Sequence, residues 1–151
     1  LEAKRMEVIT IKNETDFPGQ FGRSQLVDFM HESLDEFRDS KKDINNALDY
    51  AFSTDPGKGG FVLLGIDNGN IVSGLVMNKT GHVGYIPENI LVYVATKASE
   101  RGKGLGRKII TKAIETAGTD IALHVEYDNP AKKLYERLGF TSKYAEMRYK
   151  K

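Results

Sequence analysis

The seven residues Arg101-Gly102-Lys103-Gly104-Leu105-Gly106-Arg107 follow an apolar run, Ile90 to Ala95, and open a helix-patterned segment, Leu105 to Ala117. Glycine at alternate positions removes the Cβ atoms that would hold a ligand off the backbone. It also admits positive φ, so that successive N–H groups can point one way. A turn of this kind at a helix start binds anions. Arg101, Lys103, Arg107 and Lys108 crowd the positive end of the helix, where each cation costs about 0.3–1 kcal/mol. A bound phosphate removes that conflict.

Two common phosphate patterns do not fit. A P-loop ends in Gly-Lys-Ser/Thr, which neither this turn nor Gly57-Lys58-Gly59-Gly60 supplies. A dinucleotide fingerprint starting at Gly102 needs glycine where Arg107 stands. The plain alternative is a tight strand-to-helix turn with no ligand.

The surrounding pattern alternates strands and helices. Met6 to Ile11 reads as a strand. From Ser24, Leu26, Phe29, Met30, Leu34 and Phe37 keep helical spacing, with Asp28, Glu32, Asp35 and Glu36 on the opposite face. Asp43 is the expected N-cap of a second helix with Ile44, Ala47, Leu48, Ala51 and Phe52 on one stripe. Phe61 to Ile66 and Ile71 to Met77 flank Asp67-Asn68-Gly69-Asn70, a hairpin signal. A short strand is expected at Val83 to Ile86, then a buried strand at Ile90 to Thr96. After the helix stopped by Gly118, Ile121 to Val125 gives a strand. Asn129 as N-cap with Pro130 at the first position opens a helix through Leu134, Tyr135 and Leu138, and Gly139 ends it. Phe140 to Tyr149 reads as one or two final strands. The expected fold is α+β, with order β-α-α-β-β-β-α-β-α-β and about four helices flanking a mixed, mostly antiparallel sheet. Its two central strands, 90–96 and 121–125, are parallel because a helix crosses between them.

A length of 151 residues, 40% hydrophobic and 28% charged, suits one domain over 1–151. Residues before Met6 are expected to be a cloning remnant. The net charge of +1 argues against a nucleic-acid or membrane partner. The absence of cysteine removes disulfide, thiolate-metal and cysteine-nucleophile chemistry and fits a cytoplasmic address. His31, His82 and His124 are too scattered for a metal site, so none is expected. The longest apolar runs are too short to span a bilayer.

A second constellation is Leu134-Tyr135-Glu136-Arg137-Leu138-Gly139-Phe140. It resembles the Leu-Tyr-x-x-x-Gly-Phe signature of the GNAT superfamily of acyl-CoA-dependent N-acetyltransferases. Arg101-x-x-Gly104-x-Gly106 is similar to that family's Arg/Gln-x-x-Gly-x-Gly/Ala loop. Both motifs stand in order with a strand between them, and the resemblance is specific over Val92 to Phe140.

It implies that amides of Arg101, Gly102, Lys103, Gly104, Leu105, Gly106 and Arg107 hold the diphosphate of acetyl-CoA. It further implies that Val94, Ala95 and Thr96 pair with pantetheine as an added strand, with the Val94 N–H toward the thioester carbonyl. Asn129 would contact pantetheine and Tyr135 would lie near the sulfur. The family usually has proline where Ala98 stands. Asn129 is one residue closer to Tyr135 than the usual spacing, which makes Asp128 the alternative contact.

The chemistry has its own requirements. A primary amine of pKa about 10.4 is neutral in roughly one molecule per thousand at neutral pH, a cost of about 4 kcal/mol. Attack on the thioester builds an oxyanion that a fixed N–H stabilises. The leaving thiolate needs a proton or a strong donor, and a phenol is protonated at neutral pH. Tyr135 fits that role, its plain alternative being a packed aromatic.

Where some relatives carry a β4 glutamate, this chain has Ile90. The candidate bases are therefore His124, Glu126 and Glu88 in that order, each with the alternative of a merely solvated side chain; a water chain is the route with no base. The acidic residues Asp28, Glu32, Asp35, Glu36 and Asp39 lie in the half that the family uses for acceptors. The expected function is acetyl transfer from acetyl-CoA to a primary amine in a ternary complex, without metal. The alternatives are a non-catalytic acyl-CoA-binding or sensing domain and a phosphate- or nucleic-acid-binding module using the turn's cations with Lys112. Neither the acceptor nor the oligomeric state is encoded legibly.

Overall fold

A computed structural model describes residues 5–151; apart from Arg5, the expected cloning remnant lies outside the described residues. Five strands form one sheet in the order β1 (Glu7–Ile11), β2 (Gly60–Asp67), β3 (Asn70–Lys79), β4 (Asn89–Thr96) and β5 (Ile121–Leu123). The first four are antiparallel neighbours, and β5 runs parallel to β4 as the crossover requires. Helices α1 (Arg23–Ser33) and α2 (Lys41–Ala51) cover one face, and α3 (Leu105–Ala117) and α4 (Ala131–Arg137) the other. This is the expected mixed α+β architecture, in the expected order as far as α4.

Period-2 alternation sorts β2 between two cores. Phe61 and Leu63 pack with Leu75, Leu91 and the α3 residues Ile109 and Ile110. Val62 and Leu64 pack with Leu26, Met30, Ile44 and Leu48 of α1 and α2. The hairpin turns at Asn68 and Gly69, both with positive φ (50° and 72°), as a two-residue loop between twisted strands demands. At Gly74, an added Cβ would meet Met30 Sδ at 3.0 Å and Leu26 Cδ1 at 3.2 Å, so α1 lies close over β3.

Several boundaries differ from expectation. Helix α1 stops at Ser33 rather than near Phe37, because Asp35 adopts a positive φ of 57° and starts one turn of 3-10 helix, Asp35–Phe37. Helix α2 starts earlier: Ser40 is the N-cap and its hydroxyl accepts the Asp43 N–H at 3.1 Å, so Asp43 sits in the first turn. One side chain joins these parts. Arg23 pairs with Glu14 and with Asp49 at 2.7 Å, donates to the Asn45 carbonyl at 3.3 Å and lies 5.6 Å from the Phe52 ring centroid.

Two expected strands do not form. Residues 83–86 lie in an exposed loop closed by Thr80, whose N–H donates to the Glu88 carbonyl at 2.9 Å and whose hydroxyl donates to the Pro87 carbonyl at 2.7 Å. Residues 140–149 are also irregular, with Tyr144, Met147 and Tyr149 exposed. Lys143, Glu146 and Arg148 break that segment with charge, and the edge strand β5 is three residues long. Without a following strand, β5 is the sheet's edge and β4 is the internal strand beside it.

The start of β2 tests the close approach of β2 and β3. Gly60 has φ 152°, and an added Cβ would stand 2.0 Å from the Met77 carbonyl oxygen. Gly60→Ala should lower stability by about 3 kcal/mol or more. Urea unfolding of the two proteins measures this, and an unchanged midpoint would show that β2 and β3 can separate here without cost.

Candidate active site

The site begins with a local irregularity in β4. Val76 of β3 pairs with Tyr93 and Met77 pairs with Leu91, so Val92 is an extra residue, a β-bulge. The bulge puts Val92 and Tyr93 together on the α1/α2 side, while Leu91 and Val94 face the α3/α4 side. On its other edge β4 pairs with β5 only at Asn89, Ile90 and Leu91. Among the described residues no strand takes the edge of Val92 to Thr96 on that side. An exposed length of strand edge is a template for another extended chain.

The glycine turn closes the end of this open edge. A 3-10 turn, Ala98–Glu100, leads from β4 to Arg101, and Gly102 and Gly104 take left-handed φ values of 78° and 82°. Gly106 does a different job inside α3: a Cβ there would be 3.3 Å from Leu134 Cδ2 and 3.9 Å from Thr96 Oγ1. Its small size lets the first turn of α3, the end of β4 and α4 meet. Among the described residues, none accepts a hydrogen bond from the N–H groups of Gly102 to Arg107. The positive end of a 13-residue helix and the unfilled donors before it therefore point out of one short turn.

Most of the nearby cations are engaged elsewhere. Lys103 pairs with Glu100 at 2.9 Å, and Lys108 Nζ donates to the Met6 carbonyl at 2.5 Å. Arg101 donates to the Thr96 carbonyl at 3.3 Å and to the Ser33 carbonyl at 2.8 Å, and its own N–H reaches the Ala98 carbonyl at 3.4 Å. Arg107 is exposed. What the turn offers a ligand is thus chiefly backbone donors.

Tyr135 stands on α4 next to Leu134, 7% exposed, with its ring edge-on to Phe140 at 5.7 Å. Burial, followed by the negative charge of Glu126, pushes its pKa up to about 12. Its phenol is therefore protonated throughout the neutral range. Asn129 turns both ends of its amide to protein groups: Oδ1 accepts the Ala131 N–H at 2.9 Å and Nδ2 reaches Glu126 Oε2 at 3.4 Å. It caps α4 from one position earlier than expected, since Pro130 is the N-cap, while Asp128 is exposed.

His124 and Glu126 leave β5 just beyond its last pair and are exposed. Only Glu126 is linked to Tyr135, through its charge. Glu88 precedes β4 at the end opposite the glycine turn, six residues before Val94 and about 20 Å from it along the strand. Its charge is not among the causes of the Tyr135 shift. Sequence reading missed Tyr93, whose hydroxyl donates to Asp39 Oδ2 at 2.5 Å. Burial, then Asp39, raises its pKa. A phenol inside the otherwise aliphatic run Ile90 to Ala95 was the available signal.

A family model described as the acetyltransferase (GNAT) family matches residues 26–140. The chain belongs to the GNAT acetyltransferase family. Its fold is shared by solved structures of low sequence identity. An aminoglycoside N-acetyltransferase in complex with CoA superposes with a TM-score of 0.71 at 12% identity, covering 97% of this chain and 95% of that one. A ribosomal-protein-alanine N-acetyltransferase from Brucella melitensis biovar Abortus gives 0.64 at 12% identity, over 97% and 99%. The NatC complex bound to Gag peptide and CoA gives 0.65 at 21% identity, over 89% and 85%. No curated protein matches the chain in sequence. Among the described residues of this GNAT chain, no helix is long and apolar enough to cross a membrane, and no group of three or more acidic, histidine or cysteine side chains could hold a metal ion.

The raised pKa of Tyr135 has a measurable consequence for this GNAT fold. Folding favours the neutral phenol, so the stabilisation is complete below an unfolded pKa of about 10 and is lost as pH rises toward 12. Tyr93 acts in the same direction. Between pH of about 9 and about 11.5, wild type should lose about 1–2 kcal/mol more than Tyr135→Phe in urea unfolding. Equal losses would place the Tyr135 hydroxyl in water.

Proposed function

We propose that the chain transfers an acetyl group from acetyl-CoA to a primary amine by direct attack in a ternary complex. The observation that carries this reading is the run of unfilled N–H donors from Gly102 to Arg107 at the end of an unpaired strand edge. In this reading those donors take the diphosphate, and the pantetheine arm lies along Val92 to Thr96 as an added strand. The Val94 N–H stabilises the oxyanion as the amine nitrogen attacks the thioester carbon. The carbon–sulfur bond then breaks, and the Tyr135 hydroxyl hydrogen-bonds the departing sulfur. The proton released by the amine leaves through His124, Glu126 or water. Asn129, engaged as a cap, positions α4 beneath the arm.

The GNAT family match and the CoA-bound neighbours support the donor. The acceptor class is suggested by those neighbours, which act on an aminoglycoside and on protein or peptide amines. Release of CoA from acetyl-CoA should be followed with kanamycin, spermidine and a peptide with an N-terminal alanine. Tyr135→Phe should lower kcat by about a hundredfold while leaving CoA affinity unchanged. Gly104→Val, forced into left-handed φ, should weaken CoA binding by about tenfold. Thermal stabilisation by CoA without turnover of any amine would favour an acyl-CoA-sensing domain instead.

A further inference from the structure

The connection between α1 and α2, Leu34 to Ser40, is held at both ends by residues that border the open edge of β4. At its start, the Arg101 guanidinium donates to the carbonyl of Ser33, the last residue of α1, at 2.8 Å. A cation on the last carbonyls of a helix is a favourable placement. The same guanidinium donates to the Thr96 carbonyl at 3.3 Å, so one side chain joins the end of α1 to the end of β4. Near the other end of the connection, Asp39 accepts the Tyr93 hydroxyl at 2.5 Å. Between these anchors, Asp35 sits at φ 57° and the Arg38 Nε closes on its carbonyl at 2.8 Å. A left-handed aspartate costs free energy and persists only where its surroundings hold it.

Both anchors border the proposed donor site. Arg101 heads the turn whose N–H groups have no acceptor among the described residues, and Tyr93, paired to Val76 of β3, lies on the segment that β5 leaves unpaired. A ligand filling that turn and pairing with that edge would immobilise the two residues that hold residues 34–40. We infer that Arg101 and Tyr93 are positioning residues that couple occupancy of the donor site to ordering of the 34–40 connection on the opposite side of β4. The inference rests on the donor reading given above. It assigns the Arg101 side chain to the connection and not to the anion. The coupling acts through lost freedom of the connection, with no rearrangement of the sheet.

Hydrogen exchange with and without CoA tests this without an identified acceptor. In wild type, CoA should slow exchange of amides in 34–40 by about fivefold. Arg101→Met and Tyr93→Phe should still bind CoA but lose that slowing, and Arg101→Lys, which keeps one donor, should restore part of it. CoA binding with unchanged exchange in 34–40 of wild type overturns the inference and leaves the donor reading intact. A fall in CoA affinity of about tenfold or more in Arg101→Met, the size expected on removing a charged hydrogen bond to the ligand, also overturns it. Absence of CoA binding by wild type removes the donor reading and the inference with it. If Arg101→Met does not fold, Tyr93→Phe decides, since it deletes one hydroxyl and keeps the ring.

Discussion

The rest of the structure depends on where two parallel strands stop pairing. Backbone N–H and C=O groups taken from water need partners, and a sheet normally supplies them on both sides of an internal strand. Here β4 has β3 along its length but β5 only for Asn89 to Leu91. The bulge at Val92 falls where that pairing ends. An extra residue increases twist and re-aims the strand, so Tyr93 and Val94 project to opposite faces just where the neighbour is lost. The open edge is thus built between two well-packed cores, and the cost of leaving it unpaired is kept local.

In the proposed reading the glycine turn would hold an anion through the way its charges are disposed. Lys103, Lys108 and Arg101 each have an acceptor within the protein, so they neither repel the positive helix end strongly nor form a diffuse basic patch. What remains is a set of backbone dipoles of fixed direction. Such donors recognise an anion by shape and are little use for gathering a long polyanion, which needs many exposed cations. This weighs against a nucleic-acid-binding reading and agrees with a chain whose net charge is +1.

Much of this was legible in residue order. The Asn68-Gly69 turn, the strand-glycine-helix unit and the parallel pairing across α3 each follow from local chemistry or from handedness. The misses have physical reasons. Asp35 ends α1 by adopting a conformation that aspartate tolerates and no spacing rule foresees. Phe140 to Tyr149 reads as a strand by its aromatic residues, but the segment carries Lys143, Glu146 and Arg148 and the β5 edge is only three residues long. The bulge left no trace in the run Ile90 to Ala95, because a one-residue slip is decided by the neighbouring strand. The contact of the Arg101 side chain with the Ser33 carbonyl joins residues 68 apart in sequence, a distance no local pattern spans.

The proton balance of the proposed reaction assigns Tyr135 a narrower role than acid catalysis in the full sense. Amine plus thioester gives amide plus thiol, so one proton leaves nitrogen, one reaches sulfur, and none is consumed. A phenol with a pKa of about 12 facing a thiolate whose thiol has a pKa near about 8.5 would lose about 5 kcal/mol by handing its proton over completely. The burial that raises the pKa therefore makes Tyr135 a poor proton source and a secure hydrogen-bond donor. A donor that stays neutral stabilises charge as it grows on sulfur and needs no base to recharge it before the next turnover. The proton that finally reaches sulfur is then most economically the one the amine releases, delivered through water across a short distance. That route would ask only that a side chain such as His124 or Glu126, both exposed beyond the end of β5, keep the water path polar.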